Sequence, residues 1–326
     1  MSQPTSVRTG YGLSAGAAVA WSTTSVLIKY LLDSGAPRLA VAFWRDALIA
    51  VVCLAGLLVL RPQALRVGRS DLRGFAAIGA ISVGLYHALW VISIGLNGAA
   101  VATVLIYTFP VFVTLGAWLL FHEPIRRPQI LALALALLGC ALVVRAYDPA
   151  VLQVSWFGVL VGLSTGLTHA GYVLFSQRAV QSYSPWTSLG YTMLFGSLML
   201  LGLNLVVAPG ELLAIGSSPN TWLLLVVLAL GPTLGGYVLF TAALRHIPGR
   251  IAGLIAVVEA PVAALLAALV LGERMEWPQL LGLVLVLAAV ALPRLLSDNQ
   301  QLTTDDRRPT ADDRQPAVSG LPVDRG

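Results

Sequence analysis

A chain of 326 residues with 57% hydrophobic and only 11% charged side chains, at a mean hydropathy of +0.83, carries more apolar surface than a water-soluble core can take in. Lipid is its solvent, and the excess of +5 charges is explained by arginines between apolar runs rather than by nucleic-acid binding. The two cysteines, Cys53 and Cys140, both fall inside apolar runs and exclude a disulfide framework or a metal-ligand spacing.

A spanning helix needs about 20 mainly apolar residues, whereas spanning strands would leave alternating segments of about 10. The runs here are long and rich in Leu, Ala, Val and Gly, so the expected fold class is all-α and integral to a membrane. After a short N-terminus over residues 1–9, spans are expected over roughly 10–32, 38–60, 74–95, 99–121 and 128–146, and again over roughly 156–178, 186–208, 220–243, 251–271 and 278–296. Ala18-Val19-Ala20 imitates a signal-peptidase site, but the apolar run continues past Trp21 to Leu32, as a span requires. Ten spans return both termini to one side. With that side cytoplasmic, the inner loops hold eleven arginines before the tail, among them Arg8, Arg61, Arg126, Arg127, Arg245 and Arg250, against Arg38, Arg145 and Arg274 outside. Basic residues of short loops collect in the cytoplasm, so the expected location is a plasma membrane with both termini inside. Residues 297–326 turn polar, with Asp305-Asp306-Arg307-Arg308 among Thr, Gln and Pro, and read as a disordered cytoplasmic tail.

One string occurs twice. Ile106-Tyr-Thr-Phe-Pro110, running to His122-Glu123 and Pro128-Gln129-Ile130-Leu131, returns as Val257-Val-Glu-Ala-Pro261, running to Gly272-Glu273 and Pro278-Gln279-Leu280-Leu281. Upstream, Gly98 aligns with Gly249 and Gly84-Leu85-Tyr86 with Gly235-Gly236-Tyr237; further back, Pro37 falls on Pro185. Residues 10–146 and 156–296 are therefore read as two five-helix repeats. An odd number of spans per repeat makes the second copy enter the bilayer from the opposite side, the inverted arrangement of many secondary transporters.

The blocks Gly98 to Leu138 and Gly249 to Leu283, with Trp21-Ser22, Lys29 and Phe43-Trp44-Arg45, resemble the paired domains of the drug/metabolite transporter superfamily in its EamA-domain branch. The resemblance covers roughly residues 10 to 296. It implies a ten-helix transporter of two inverted halves, usually exporting metabolites, amino acids or foreign compounds.

Within that frame the intramembrane polar residues are the candidates for solute binding. Pro110 and Pro261 lie near the centres of the fourth and ninth spans, where each frees the carbonyl four residues earlier and kinks the helix. Glu259, about nine residues into the ninth span, could exchange a proton or bind a cationic solute group, or could pair with Lys29 or Arg45; Thr108 is its equivalent. Lys29, the only lysine, could meet a solute carboxylate, snorkel, or pair with Asp33. Arg45 and Asp46 point some 100° apart and are expected to need different partners, Arg45 in a structural bridge. Tyr86, His87 and Trp90, with Tyr237, Trp21, His169 and Tyr172, are expected to form an aromatic cavity with a few polar groups, although each alone reads as helix packing. Glu123 and Glu273 are read as caps of the following helices, and Gly158, Gly162 and Gly166 as a close-packing face.

The function expected is secondary transport of a small organic solute by alternating access, outward, with proton coupling open. No cofactor, metal or nucleic-acid partner is expected; the second, fifth, seventh and tenth helices are left to support the bundle or to form a homodimer. No Gly-x-x-x-x-Gly-Lys-Ser/Thr loop is present, which excludes a self-contained ATP-driven subunit. An intramembrane enzyme acting on lipid is the alternative, but His122-Glu123 is followed by Pro124 and not by a His-Glu-x-x-His pattern. A channel would need a filter motif that the sequence lacks.

Overall fold

The computed structural model describes residues 4–150, 155–215, 218–271 and 275–305, and every regular element among them is helical. Among the described residues, eight helices are long and apolar enough to cross a bilayer: α1 (Ser6–Asp33), α2 (Arg38–Leu60), α3 (Arg69–Asn97), α4 (Val101–Phe121), α6 (Trp156–Ser182), α7 (Pro185–Val207), α8 (Pro219–Ala243) and α9 (Gly249–Leu266). Two shorter apolar helices, α5 (Arg127–Val143) and α10 (Trp277–Leu292), complete the set. The helical path of α10 continues to Asp305, into the segment read from the sequence as a disordered tail; residues 306–326 lie outside the described residues.

The repeated Pro-Gln motif is a helix start. Gln129 accepts from the Arg126 N–H at 3.1 Å and Gln279 accepts from the Glu276 N–H at 2.9 Å, so each glutamine covers a donor that the first turn leaves orphaned. Glu123 does not cap α5, contrary to the sequence expectation. Gln129 holds that role, and Glu123 forms an ion pair with Arg250 at 3.2 Å. Glu273 lies outside the described residues.

Packing follows the repeat. α2 lies along α7 and α5 along α10, while α1 packs on α8 and α9 and α6 packs on α3 and α4. That is the pairing an approximate two-fold relation between the halves produces. The self-paired contact of α5 with α10 is built on glycine: a Cβ on Gly139 would stand 2.8 Å from the Gly282 carbonyl oxygen, and one on Gly282 would stand 2.6 Å from that of Gly139. Small residues let backbones approach where lipid offers no hydrophobic drive to associate. The glycines of α6 act likewise, Gly158 against Asn97, Gly162 against Leu105 and Gly166 against Thr108, as their spacing predicts.

The helices around the centre are not regular. α1 is interrupted at Thr23. α3 and α8 pass through π-helical turns at Ala80–Leu85 and Ala229–Thr233. α4 and α9 break outright, restarting at Phe109 and at Glu259. Pro110 and Pro261 therefore do more than kink: Pro110 occupies the first turn of a new helix, where its missing N–H costs nothing. In α9 the Val257 carbonyl that Pro261 frees accepts instead from the Ala260 N–H at 3.2 Å. In α8, Pro232 frees the Leu228 carbonyl, and the neighbouring Thr233 hydroxyl donates to it at 2.8 Å. Each break is repaired locally, which a bilayer core requires.

Candidate functional site

Each irregularity delivers a side chain to one place. The π turns present Tyr86 and His87 from α3 and Thr233 and Tyr237 from α8, and the breaks present Tyr107 and Phe109 from α4 and Glu259 from α9. These residues, with Trp21 of α1, Arg45 of α2, Trp90 of α3 and His169 of α6, line a cavity of about 760 Å³. From the breaks the cavity runs toward the end of the bundle that holds Arg145, Met275 and Gln279.

The walls are a continuous aromatic network. Trp21 meets Tyr237 edge-on at 5.3 Å, and His169 lies 4.8 Å from Tyr86 and 4.7 Å from Phe109, ring centre to ring centre. Gly236 has no side chain where one would strike the Trp21 indole, so α1 can bring that ring against α8. The aromatic lining expected from the sequence is thus assembled, with Trp21, Tyr86, His87, Trp90, His169 and Tyr237 all facing one space.

Two expected members are elsewhere. Tyr172 is fully buried behind the cavity wall, its hydroxyl 2.8 Å from the Thr241 hydroxyl; one further turn along α6 from His169 carries it onto α8. Thr108 donates to the Leu105 carbonyl at 2.6 Å and fits against Gly166, because the break in α4 turns it toward α6. It does not mirror Glu259. The side chain of Lys29 lies outside the described residues.

Arg45 and Asp46, expected to need different partners, bond to each other: Arg45 Nε donates to Asp46 Oδ1 at 3.0 Å. The arginine stem is long enough to fold back over the 100° between the two Cβ directions. The other Asp46 oxygen lies 2.7 Å from His87 Nδ1. All three side chains are buried, so α2 and α3 are joined by a polar network beside the cavity. His87 is part of this network as well as of the lining.

Glu259 opens the second half of α9, where the helix N-terminus favours negative charge. Among the described residues its carboxylate has no cationic partner, and the pairing with Arg45 considered from the sequence is not formed, because Arg45 is held by Asp46. Among the described residues no group of three His, Cys, Asp or Glu is arranged to hold a metal ion. Several lining residues escaped the sequence reading as cavity groups, among them Arg45, Tyr107, Phe109, Thr233 and Gln279. Tyr107 and Gln279 both lie inside the repeated string, so the repeat marked them without showing where they face.

At the arginine-rich end the helices are tied. The Gly249 N–H donates to Gln177 Oε1 at 2.7 Å, Arg250 pairs with Glu123 and donates to the Pro124 carbonyl at 3.2 Å, and Arg245 donates to the Tyr183 carbonyl at 2.9 Å. None of these residues lines the cavity.

The sequence pattern of the EamA-like transporter family matches residues 8–145 and again residues 156–294. An uncharacterized transporter of Archaeoglobus fulgidus is 30% identical over 276 residues, covering 84% of this chain and 92% of its own length. The uncharacterized inner membrane transporter YicL of Salmonella typhimurium is 27% identical, covering 85% of this chain and 92% of its own. A solved crystal structure superposes with a TM-score of 0.75 at 17% identity, covering 92% of this chain and all of its own, which shows a shared fold. With both halves matched, a polytopic helical fold and a central cavity, this chain is a membrane protein belonging to the EamA-like transporter family.

Proposed function

We propose that the protein is a secondary transporter of ten spans in two inverted five-helix repeats, moving a small amphipathic organic solute outward by alternating access. The cavity carries the reading: its aromatic walls accept an apolar body, and Glu259, without a cationic partner among the described residues, accepts a proton or a solute cation. The arginine-rich end is cytoplasmic by the charge rule for short loops. The cavity then opens outward, with Gln177, Glu123 and Arg250 closing the inner side. Rocking of α1, α3, α4, α6, α8 and α9 about their irregular turns would release those ties, while the α2–α7 and α5–α10 pairs stay as supports.

Counterflow of labelled solute in proteoliposomes tests this. A carrier shows saturable trans-acceleration. A channel shows none, and an enzyme returns a chemically altered compound; either result would replace the proposal.

A further inference from the structure

The polar network between α2 and α3 leaves one group unused. A guanidinium facing a carboxylate ordinarily forms two parallel bonds, one to each oxygen. Here His87 Nδ1 occupies Asp46 Oδ2, and Arg45 reaches only Oδ1, through Nε. Arg45 Nη2 is buried with no hydrogen-bond partner among the described residues, although the Arg45 side chain as a whole is only 6% exposed. Leaving a charged donor buried and unpaired is costly.

Position points to a use for the guanidinium as a whole. Arg45 lines the main cavity and also borders a second, smaller one with His87 and Trp90, so it stands in the wall between two open spaces. Tyr86 lies on the same wall. The Nε–Asp46 bond fixes the guanidinium plane, and His87 keeps Asp46 from turning to pair with it fully. Asp46 and His87 therefore act as positioning residues for an arginine with a donor to spare.

We infer that Arg45 anchors an anionic group of the solute, such as a carboxylate, through the part of its guanidinium that lines the cavity, and that Asp46 and His87 hold it in place for this. The inference rests on the transport reading above and deepens it: the solute carries a planar anion at the α2–α3 side and an aromatic or aliphatic body along Tyr86 and Trp90. An arginine suits this role better than a lysine, because its fork can bond Asp46 and a solute carboxylate at once.

The test uses the full-length protein in detergent and three probes that share a phenyl ring: 3-phenylpropionate, its neutral amide 3-phenylpropionamide, and phenethylamine. Affinities are read by ligand-induced change in Tm and by quenching of tryptophan fluorescence. Wild type is expected to prefer the carboxylate over the amide by at least about tenfold, the worth of one charge-assisted bond. Arg45→Gln should erase that preference, and its folding is read independently from monodisperse elution and unliganded Tm. If Arg45→Gln does not fold, Arg45→Lys decides, with a preference reduced at least about threefold expected for loss of the fork. Equal binding of carboxylate and amide by wild type, or an undiminished preference in the variant that folds, overturns the inference. If phenethylamine binds and counterflow is seen while the carboxylate gains nothing over the amide, the transport reading stands and only the Arg45 assignment falls. Binding of none of the probes, with no counterflow, overturns both.

Discussion

Replacing Glu259 with Gln removes one charge while keeping the side chain's shape, and its consequence can be worked from the position of the residue. An ionised carboxylate at the depth of the α9 break costs about 2.5–3.5 kcal/mol on insertion scales. The N-terminus of the half-helix that Glu259 opens returns about 0.3–1 kcal/mol. Because no described cation pairs with it, a shortfall of about 2 kcal/mol is left for a solute cation or a proton to relieve, equivalent to about 30-fold in affinity. Glu259→Gln should therefore weaken phenethylamine binding by about 30-fold while leaving the neutral isostere phenethyl alcohol within about threefold, as read by tryptophan quenching. In proteoliposomes the same variant should lose uptake driven by a pH gradient and keep solute exchange. Unaltered gradient-driven uptake, with equal effects on amine and alcohol, would refute the reasoning.

Other consequences are open to direct measurement. Gly139→Val places a side chain against the Gly282 carbonyl and should lower stability by about 1–3 kcal/mol or more, read as a fall in Tm in detergent, whereas Gly12→Ala, with nothing within 4 Å of its Cβ, should leave Tm unchanged. Thr233→Val removes the hydroxyl that donates to the Leu228 carbonyl and should cost about 0.6 kcal/mol and at most about 1.7. In a Pro232→Ala background, where an N–H returns to that carbonyl, the cost should shrink, and a double-mutant cycle in denaturation measures the difference. Arg250→Gln breaks the half-buried pair with Glu123, worth about 0.2–1 kcal/mol, and should lower the ratio of outward-open to inward-open protein by up to about fivefold. Labelling kinetics of a thiol placed in the cavity would show it.

The fold was largely legible because lipid leaves few options: apolar runs must be helices, and the duplicated Pro-to-Gln block marks equivalent positions in both halves. The glutamines that cap α5 and α10 place the starts of these helices within one residue of the sequence expectation. The cavity's aromatic members were legible only as a group, since each aromatic or histidine alone reads as ordinary helix packing. What failed was direction. Thr108 was paired with Glu259 by alignment, but the turn at residues 107 and 108 redirects it onto Gly166, and a linear repeat carries no record of such a rotation. Arg45 and Asp46 were separated by helical geometry, yet side-chain length overrides Cβ direction for an arginine. Glu123 was assigned by proximity in sequence to α5, whereas its partner, Arg250, comes from the other repeat. Contacts between repeats are invisible to spacing rules, and the site is made almost wholly of them.

The central claim is that one midbilayer cavity is exposed to the two sides in turn. Ala263 lines that cavity, and the native Cys53 and Cys140 are buried, so Ala263→Cys supplies a single reactive thiol there. Labelling it in right-side-out and inside-out vesicles with a membrane-impermeant reagent tests the claim directly. The account predicts fast labelling from the outside, slower but measurable labelling from the cytoplasmic side, and a shift of the inside rate when Arg250→Gln releases the inner ties. Labelling from one side alone, unmoved by solute or by Arg250→Gln, would contradict it.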